Sequence, residues 1–296
     1  MRHLENAFKF TFKNFLLTLP YLISLAIPAL IVGVGSLGLL GGSAEFINAF
    51  QEMMGDVANG NSTFDFSRLL ESLNIKAFIA SSAISVVISL VLNIIIMPAT
   101  YGLVNLQYET GNAKLNDLSH CISKYIGRYI LYGLLYLAFL IGSAIAAFFL
   151  MLFGIFISTI IEPLGFILVF LILIAYIVAL IAMSVYLMLW FPAVCVEECG
   201  VIDGLKSSFR TVRGSFWPIL GITLLINICG GITNIIIGGI LSWVPILSNM
   251  VGPIILGLAD FILLVYYFDI YREKTGRFNY IDPSQQFNGF QDGSVQ

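Results

Sequence analysis

The chain has 296 residues, of which 59% are hydrophobic and 10% charged, and its formal net charge is −3. Soluble domains carry about 25% charged residues, so the few acids and bases present here cannot cover a water-soluble fold of this size. The composition excludes a soluble enzyme, a disordered chain and a nucleic-acid binder, and it points to an all-α protein that crosses a membrane several times.

In chain order, residues 1–14 place Met1, Leu4, Phe8, Thr11 and Phe15 at alternating spacings of three and four, with Lys9 and Lys13 one turn apart. That spacing lines one stripe of a helix. The first apolar run, Phe15–Leu40, is long enough for the ~20 residues that a hydrocarbon core requires. It is too long for a signal peptide's apolar region and has no A-x-A cleavage site, so it is read as a retained span. Pro20, Pro28, Gly33, Gly35, Gly38 and Gly42 supply kinks and close packing; Gly38 and Gly42 fit G-x-x-x-G, read as core packing.

The connection 43–76 is the long external loop and nets −3, from two basic and five acidic residues. Two amphipathic stretches, Phe46/Ile47/Phe50/Met53/Met54 and Phe66/Leu69/Leu70/Leu73, flank the hinge Asn59-Gly60-Asn61. They predict a helix–turn–helix packed on the outer leaflet. Asn61-Ser62-Thr63 matches a glycosylation sequon, a pattern frequent by chance.

The second run, Ala77–Val104, carries Asn93 and Pro98. Leu115, Leu118, Ile122, Tyr125 and Tyr129 then repeat the stripe ahead of the third run, Tyr129–Ile157, with the Asn116–Asp117 pair as its cap. After the fourth run, Leu164–Phe191, the residues Ile202, Leu205, Phe209, Val212 and Phe216 repeat it again, capped by Asp203, ahead of the fifth, Phe216–Leu241. The sixth run is Val251–Tyr267.

Segments 1–14, 105–128, 192–215 and 268–296 hold three Lys or Arg each, whereas the remaining connections hold only Arg68 and Lys76. Twelve against two is a strong positive-inside bias, which makes 105–128 and 192–215 cytoplasmic loops and puts both termini in the cytoplasm of a cell-membrane protein. Trp190, Trp217, Tyr266, Tyr267 and Tyr271 read as the inner aromatic belt and Trp243 as the outer one. The expected architecture is a six-helix bundle built as three hairpins, each preceded by an amphipathic helix on the cytoplasmic side, with a degenerate threefold repeat. The transmembrane domain covers 1–272 and a flexible cytoplasmic tail 273–296. The basic faces carrying Lys124, Arg128, Lys206, Arg210 and Arg213 are expected to meet anionic lipid headgroups, or another membrane or cytoplasmic protein.

Catalytic groups are scarce. The two histidines, His3 and His120, fall in basic segments, and no H-E-x-x-H, G-x-S-x-G, Walker A or dinucleotide motif occurs. Cys195 and Cys199 are spaced C-x₃-C; a tetrahedral metal site with Cys121 and His120 would require the inner loops to meet, and idle reduced thiols are the commoner case. No metal and no cofactor are expected. The residue that stands out is Asp260, near the middle of the sixth run. An acid at that depth should turn inward and find a partner. Asn227 lies at similar depth in the fifth run, with Thr233 and Asn234 further out, Gly230-Gly231 between them, and Asn93 on the second run. These polar groups form either a solute or proton site or an interhelical hydrogen bond.

Residues 197–217 carry an ordered pattern: Glu197, Gly204, Leu205, Ser208, Arg210, Arg213, Gly214, Phe216 and Trp217, with Tyr267-Phe-Asp-Ile-Tyr-Arg272 closing the last run. It resembles a signature of prokaryotic membrane proteins similar to the membrane domain attached to some bacterial glycerophosphoryl diester phosphodiesterases. The resemblance implies a membrane module and not a catalyst, because the phosphodiesterase domain has no counterpart in the chain. The expected function is a non-catalytic membrane module or accessory subunit, and the alternative is a small-solute or lipid transporter built around Asp260.

Overall fold

A segment that offers water no access must satisfy its backbone N–H and C=O groups internally, and in a single segment only a helix does so. The computed structural model describes residues 2–41, 48, 51, 52, 54, 55, 75–159, 162–241, 243 and 245–277, and no strand occurs among them. The hinge, the second stretch and most of the first stretch of the 43–76 loop, Gly42, and positions 278–296 of the tail lie outside the described residues.

The helices are α1 (Arg2–Lys13), α2 (Phe15–Gly41), α3 (Ile75–Thr110), α4 (Leu118–Ser158), α5 (Glu162–Met188), α6 (Trp190–Glu197), α7 (Val201–Val212), α8 (Phe216–Leu241) and α9 (Pro245–Lys274), with a 3₁₀ turn at Leu115–Asp117. Six stretches are long and apolar enough to cross a membrane: Phe15–Ser36, Phe78–Thr110, Leu115–Ser158, Gly165–Glu197, Phe216–Leu241 and Met250–Lys274. Each overlaps one of the six runs read from the sequence, the third beginning earlier, at Leu115, and the sixth ending later, at Lys274.

The segments ahead of the odd-numbered spans differ from one another. α1 and α7 are separate helices, ended at Asn14 and at the Arg213–Ser215 turn, where Asn14 Nδ2 donates to Phe10 O at 3.0 Å and Ser215 N to Val212 O at 2.8 Å. The third preamble is no separate helix. It runs unbroken into α4, because nothing between Leu118 and Tyr129 interrupts helical hydrogen bonding. Of the two expected caps, one moves and one keeps its place. Gly200 takes the N-cap of α7, so Asp203 lies in the first turn, where its charge suits the helix dipole. Asp117 stands at the N-cap of α4, with its carboxylate turned back to accept from Lys114 N at 2.9 Å.

The chain divides into two compact units. The first comprises Met1–Leu17, Met97–Leu225 and Ile262–Gln296; the second comprises Thr18–Ile96 and Ile226–Phe261. In the first unit the core is aromatic. Tyr132 stands edge-on to Trp190 at 4.8 Å, Tyr101 to Phe191 at 4.8 Å, and Phe10 stacks on Tyr108 at 4.9 Å. Such pairs add about 0.5–1.5 kcal/mol each beyond area burial. In the second unit Ser85 Oγ donates to Pro28 O at 2.9 Å, a polar tie between α2 and α3.

The inner-belt reading is corrected here. Trp217 is 77% exposed, as a belt residue should be, but Trp190, Tyr266, Tyr267 and Tyr271 are buried core. Each polar tip has a protein partner in place of a lipid headgroup: Trp190 Nε1 donates to Val201 O at 2.6 Å and Tyr266 Oη to Pro218 O at 3.2 Å. Tyr267 Oη meets Thr223 Oγ1 at 2.9 Å, and Tyr271 Oη donates to Glu197.

Candidate functional site

Two groups of polar residues are built into helices, one in each unit. In the second unit, Asp260 is exposed on α9, Asn227 and Thr233 are exposed on α8, Asn93 is exposed on α3, and Asn234 is half-buried. This departs from the expectation that Asp260 turns inward, and no hydrogen bond or ion pair joins it to another described residue. The interior positions beside it belong to apolar groups, since Phe261 is fully buried. α8 and α9 touch where glycine allows it: a Cβ on Gly230 would lie 3.2 Å from that of Ala259, and one on Gly252 would lie 2.8 Å from Asn234 Oδ1. With these contacts fixed, Asn227 lies level with Asp260, while Asn234 lies about 10 Å along the axis at 1.5 Å per residue. Asn234 lines a separate, open cavity of about 460 Å³ with Gly238, Gly252, Pro253 and Leu256. Thr233 spends its hydroxyl on Cys229 O at 2.8 Å.

The second group is a buried network in the first unit, and it grows from the last turns of α9. Arg272, 3% exposed, donates through Nη2 to Asn105 Oδ1 at 2.6 Å and to Glu109 Oε1 at 3.1 Å, with its guanidinium 5.4 Å from the Tyr108 ring centre. Asp269, 1% exposed, has an oxygen 2.7 Å from His3 Nδ1 and accepts from Tyr108 Oη at 3.4 Å. On the neighbouring face of α9, Tyr271 and Ser207 both bond Glu197, Ser207 at 2.8 Å. α1 is held to this network through His3 and Asn6, and its buried side consists of Ala7, Phe10 and Thr11. Phe8, Phe12 and Phe15 stay exposed.

The motif of residues 197–217 is mostly architecture. On α7 the buried positions are Val201, Gly204, Ser207, Ser208, Thr211 and Val212, whereas Ile202, first in the apolar stripe, is 58% exposed. Small residues therefore face the protein. Ser208 Oγ donates to Tyr186 O at 2.5 Å, and Phe216 stands 5.8 Å from the Tyr186 ring. Leu205 is half-buried, and Arg213 and Gly214 are exposed. Gly204 lets α7 lie against α6, for a Cβ there would sit 2.4 Å from Val194 Cγ2 and 3.4 Å from Trp190 O. Gly204→Ala is expected to destabilise by about 1–3 kcal/mol through overpacking, read as a lower thermal midpoint of the detergent-solubilised protein.

The remaining basic candidates separate. Lys124 pairs with Glu198 at 2.6 Å and Lys206 with Asp203 at 3.3 Å. Both pairs are solvent-facing and are worth at most about 1 kcal/mol. Lys124, bonded to the Glu198 carboxylate, holds it below its ordinary pKa, so the small stabilisation is present near neutrality and fades as pH falls. Arg128 is half-buried with Nη1 shielded, and Arg210 and Arg213 are exposed. Cys121 and Cys195 are buried, and no group of three or more His, Cys, Asp or Glu suited to a metal ion occurs among the described residues.

Residues 25–265 match a family model described as a domain of unknown function, DUF7847. The chain belongs to that family. The match spans most of the chain and includes the Asp260 level and the motif of 197–217, yet it stops short of α1 and the last turns of α9. In this DUF7847 protein His3, Asp269, Tyr271 and Arg272 thus lie outside the matched stretch, while their partners Asn105, Tyr108 and Glu197 lie within it. No curated protein and no solved structure matches the chain. Nothing in these comparisons links it to the phosphodiesterase membrane domains that the motif resembles.

Proposed function

We propose that this chain is a multi-pass protein of the cell membrane, with both termini cytoplasmic and no catalysis of its own, working as a membrane module or accessory subunit. The topology rests on the twelve-to-two distribution of basic residues. The hairpin reading is supported by paired contacts: Gly154 against Val169 and Gly165 against Ser158, then Gly230 against Ala259 and Gly252 against Asn234. In each pair of helices the partner number falls as the residue number rises, as neighbours running in opposite directions require. α1 and α7 are the in-plane helices of this reading, with Phe8, Phe12 and Ile202 toward lipid. The motif resemblance favours a module that accompanies activity carried elsewhere.

The observation that carries the accessory role is Asp260. An ionisable side chain at mid-span costs on the order of 2.5–3.5 kcal/mol on insertion scales, and here it is exposed on α9 at the level of the exposed Asn227. A second polypeptide that offers a hydrogen-bonding group at that depth removes the cost. Native mass spectrometry in mild detergent tests this: the wild type should carry a second chain at fixed stoichiometry, and Asp260→Leu should lose it. The alternative is a solute or lipid transporter. A monomer in which Leu256→Cys, one turn from Asp260, reacts rapidly with a water-soluble maleimide after removal of the native thiols would overturn the subunit reading in favour of transport.

A further inference from the structure

Three cations that come from two distant parts of the chain meet in the first unit. Arg210 on α7, Lys274 at the end of α9 and Arg277 just beyond it line a cavity of about 460 Å³, together with Thr211, Gly214 and Glu197. Three positive charges against one carboxylate leave the lining at +2. The carboxylate is already engaged, because Glu197 Oε1 accepts from both Tyr271 and Ser207. The arginines are oriented: Arg277 Nη1 donates to Val196 O at 2.6 Å, and Arg210 Nη2 approaches Ser207 Oγ at 3.4 Å, which leaves other guanidinium donors for a ligand. The last carbonyls of α9 are used within the chain, with Thr275 N on Tyr271 O and Arg277 N on Arg272 O, so this helix end presents few free acceptors to an anion. Gly214, on the lining, borders open space, since a Cβ there would meet nothing within 4 Å.

The level of this cavity follows from Trp217. It is 77% exposed three residues after Gly214, at the start of α8, where an amphipathic indole sits at headgroup depth. We infer that this cavity binds the phosphate of an anionic phospholipid headgroup, with the acyl chains lying along exposed apolar helix faces. The volume suits a headgroup, and guanidinium forks match phosphate oxygens. The chemistry alone would also accept free phosphate, but an open, cationic cavity at this depth faces lipid phosphate at far higher local concentration. The inference rests on the membrane placement proposed above and not on the accessory role.

The test uses the full chain in mild detergent, with native mass spectrometry after titration with phosphatidylglycerol or phosphatidylcholine, and carbonate extraction of the source membranes as an independent check of placement. Phosphatidylglycerol should be retained at least tenfold better than phosphatidylcholine. Lys274→Glu should lower its retention by about fivefold or more, on the scale of one surface cation against anionic lipid. Gly214→Leu, which adds bulk at the lining and leaves every charge in place, should lower it by at least twofold. Both positions are exposed, so the fold should survive both changes. Equal retention of the two lipids, or no effect of either variant, overturns the inference. Displacement by millimolar inorganic phosphate that itself stays bound overturns the lipid assignment and makes the cavity a free-phosphate site. Loss of the protein from carbonate-washed membranes instead overturns the membrane placement.

Discussion

Replacing Arg272 by Leu is expected to cost the folded protein about 1–3 kcal/mol, the range for leaving a buried hydrogen-bond acceptor unsatisfied, since its ion-pair partner Glu109 is exposed. The guanidinium is 3% exposed and serves Asn105, Glu109 and the Arg277 carbonyl at once, the last at 3.3 Å. Without it Asn105 Oδ1 is left facing a cavity, although Asn105 Nδ2 still reaches Glu109 at 2.9 Å. The loss of the stem and of its contact with Tyr108 adds to this. Arg272→Lys should recover less than half of the loss, because one ammonium nitrogen cannot serve Asn105 and Glu109, which Nη2 bonds, and also the Arg277 carbonyl, which Nη1 bonds. SDS titration of the folded protein in mixed micelles reads both numbers. A cost below about 1 kcal/mol for Arg272→Leu would mean that the network is incidental to the fold.

Trp190→Ala is expected to be more severe, about 3–5 kcal/mol from the emptied volume. Trp190 is 2% exposed, packs against Tyr132, and spends its indole N–H on Val201 O at 2.6 Å, which pins α6 to the start of α7. Trp190→Phe separates the two contributions. It restores most of the ring but leaves the Val201 carbonyl unpaired, so a residual cost of about 1–3 kcal/mol should remain. Both variants are read by thermal unfolding in detergent beside the wild type. If Trp190→Phe matched the wild type, the hydrogen bond would contribute nothing and packing alone would hold the junction.

The break between α5 and α6 shows how local chemistry reaches tertiary structure. Pro192 cannot donate to Met188 O, and its ring crowds that carbonyl. The helix accordingly stops at Met188 and restarts at Trp190. Sequence periodicity passes over such a break, because the apolar run continues through it. Glu198 ends α6 with a positive φ of 53°, and the chain turns at once into α7. The tight turn is what sets Gly204 against Val194.

What the sequence determined by itself is the number and approximate placement of the apolar helices. These follow from composition and from the rule that backbone groups without water must bond within a helix, which needs no knowledge of neighbours. The acid Asp260 was legible as unusual because it breaks an apolar background, and residues 197–217 because their order resembles a known signature. What only the tertiary structure decided is which side each helix turns to its neighbours. Hydropathy measures avoidance of water, and in a bilayer both lipid and protein interior meet it. The same stretch could therefore not tell Trp217, exposed, from Trp190, Tyr266 and Tyr271, buried, nor tell that Ser207 and Ser208 of α7 would lie inside while Ile202 lies outside. That choice is made by close fit and hydrogen bonding between helices: Ser208 to Tyr186 O, Tyr271 to Glu197, and Arg272 to Asn105. The convergence of Arg210 with Lys274 and Arg277 has the same origin, since residues more than 60 positions apart become one cavity lining only when α7 and α9 pack in the same unit.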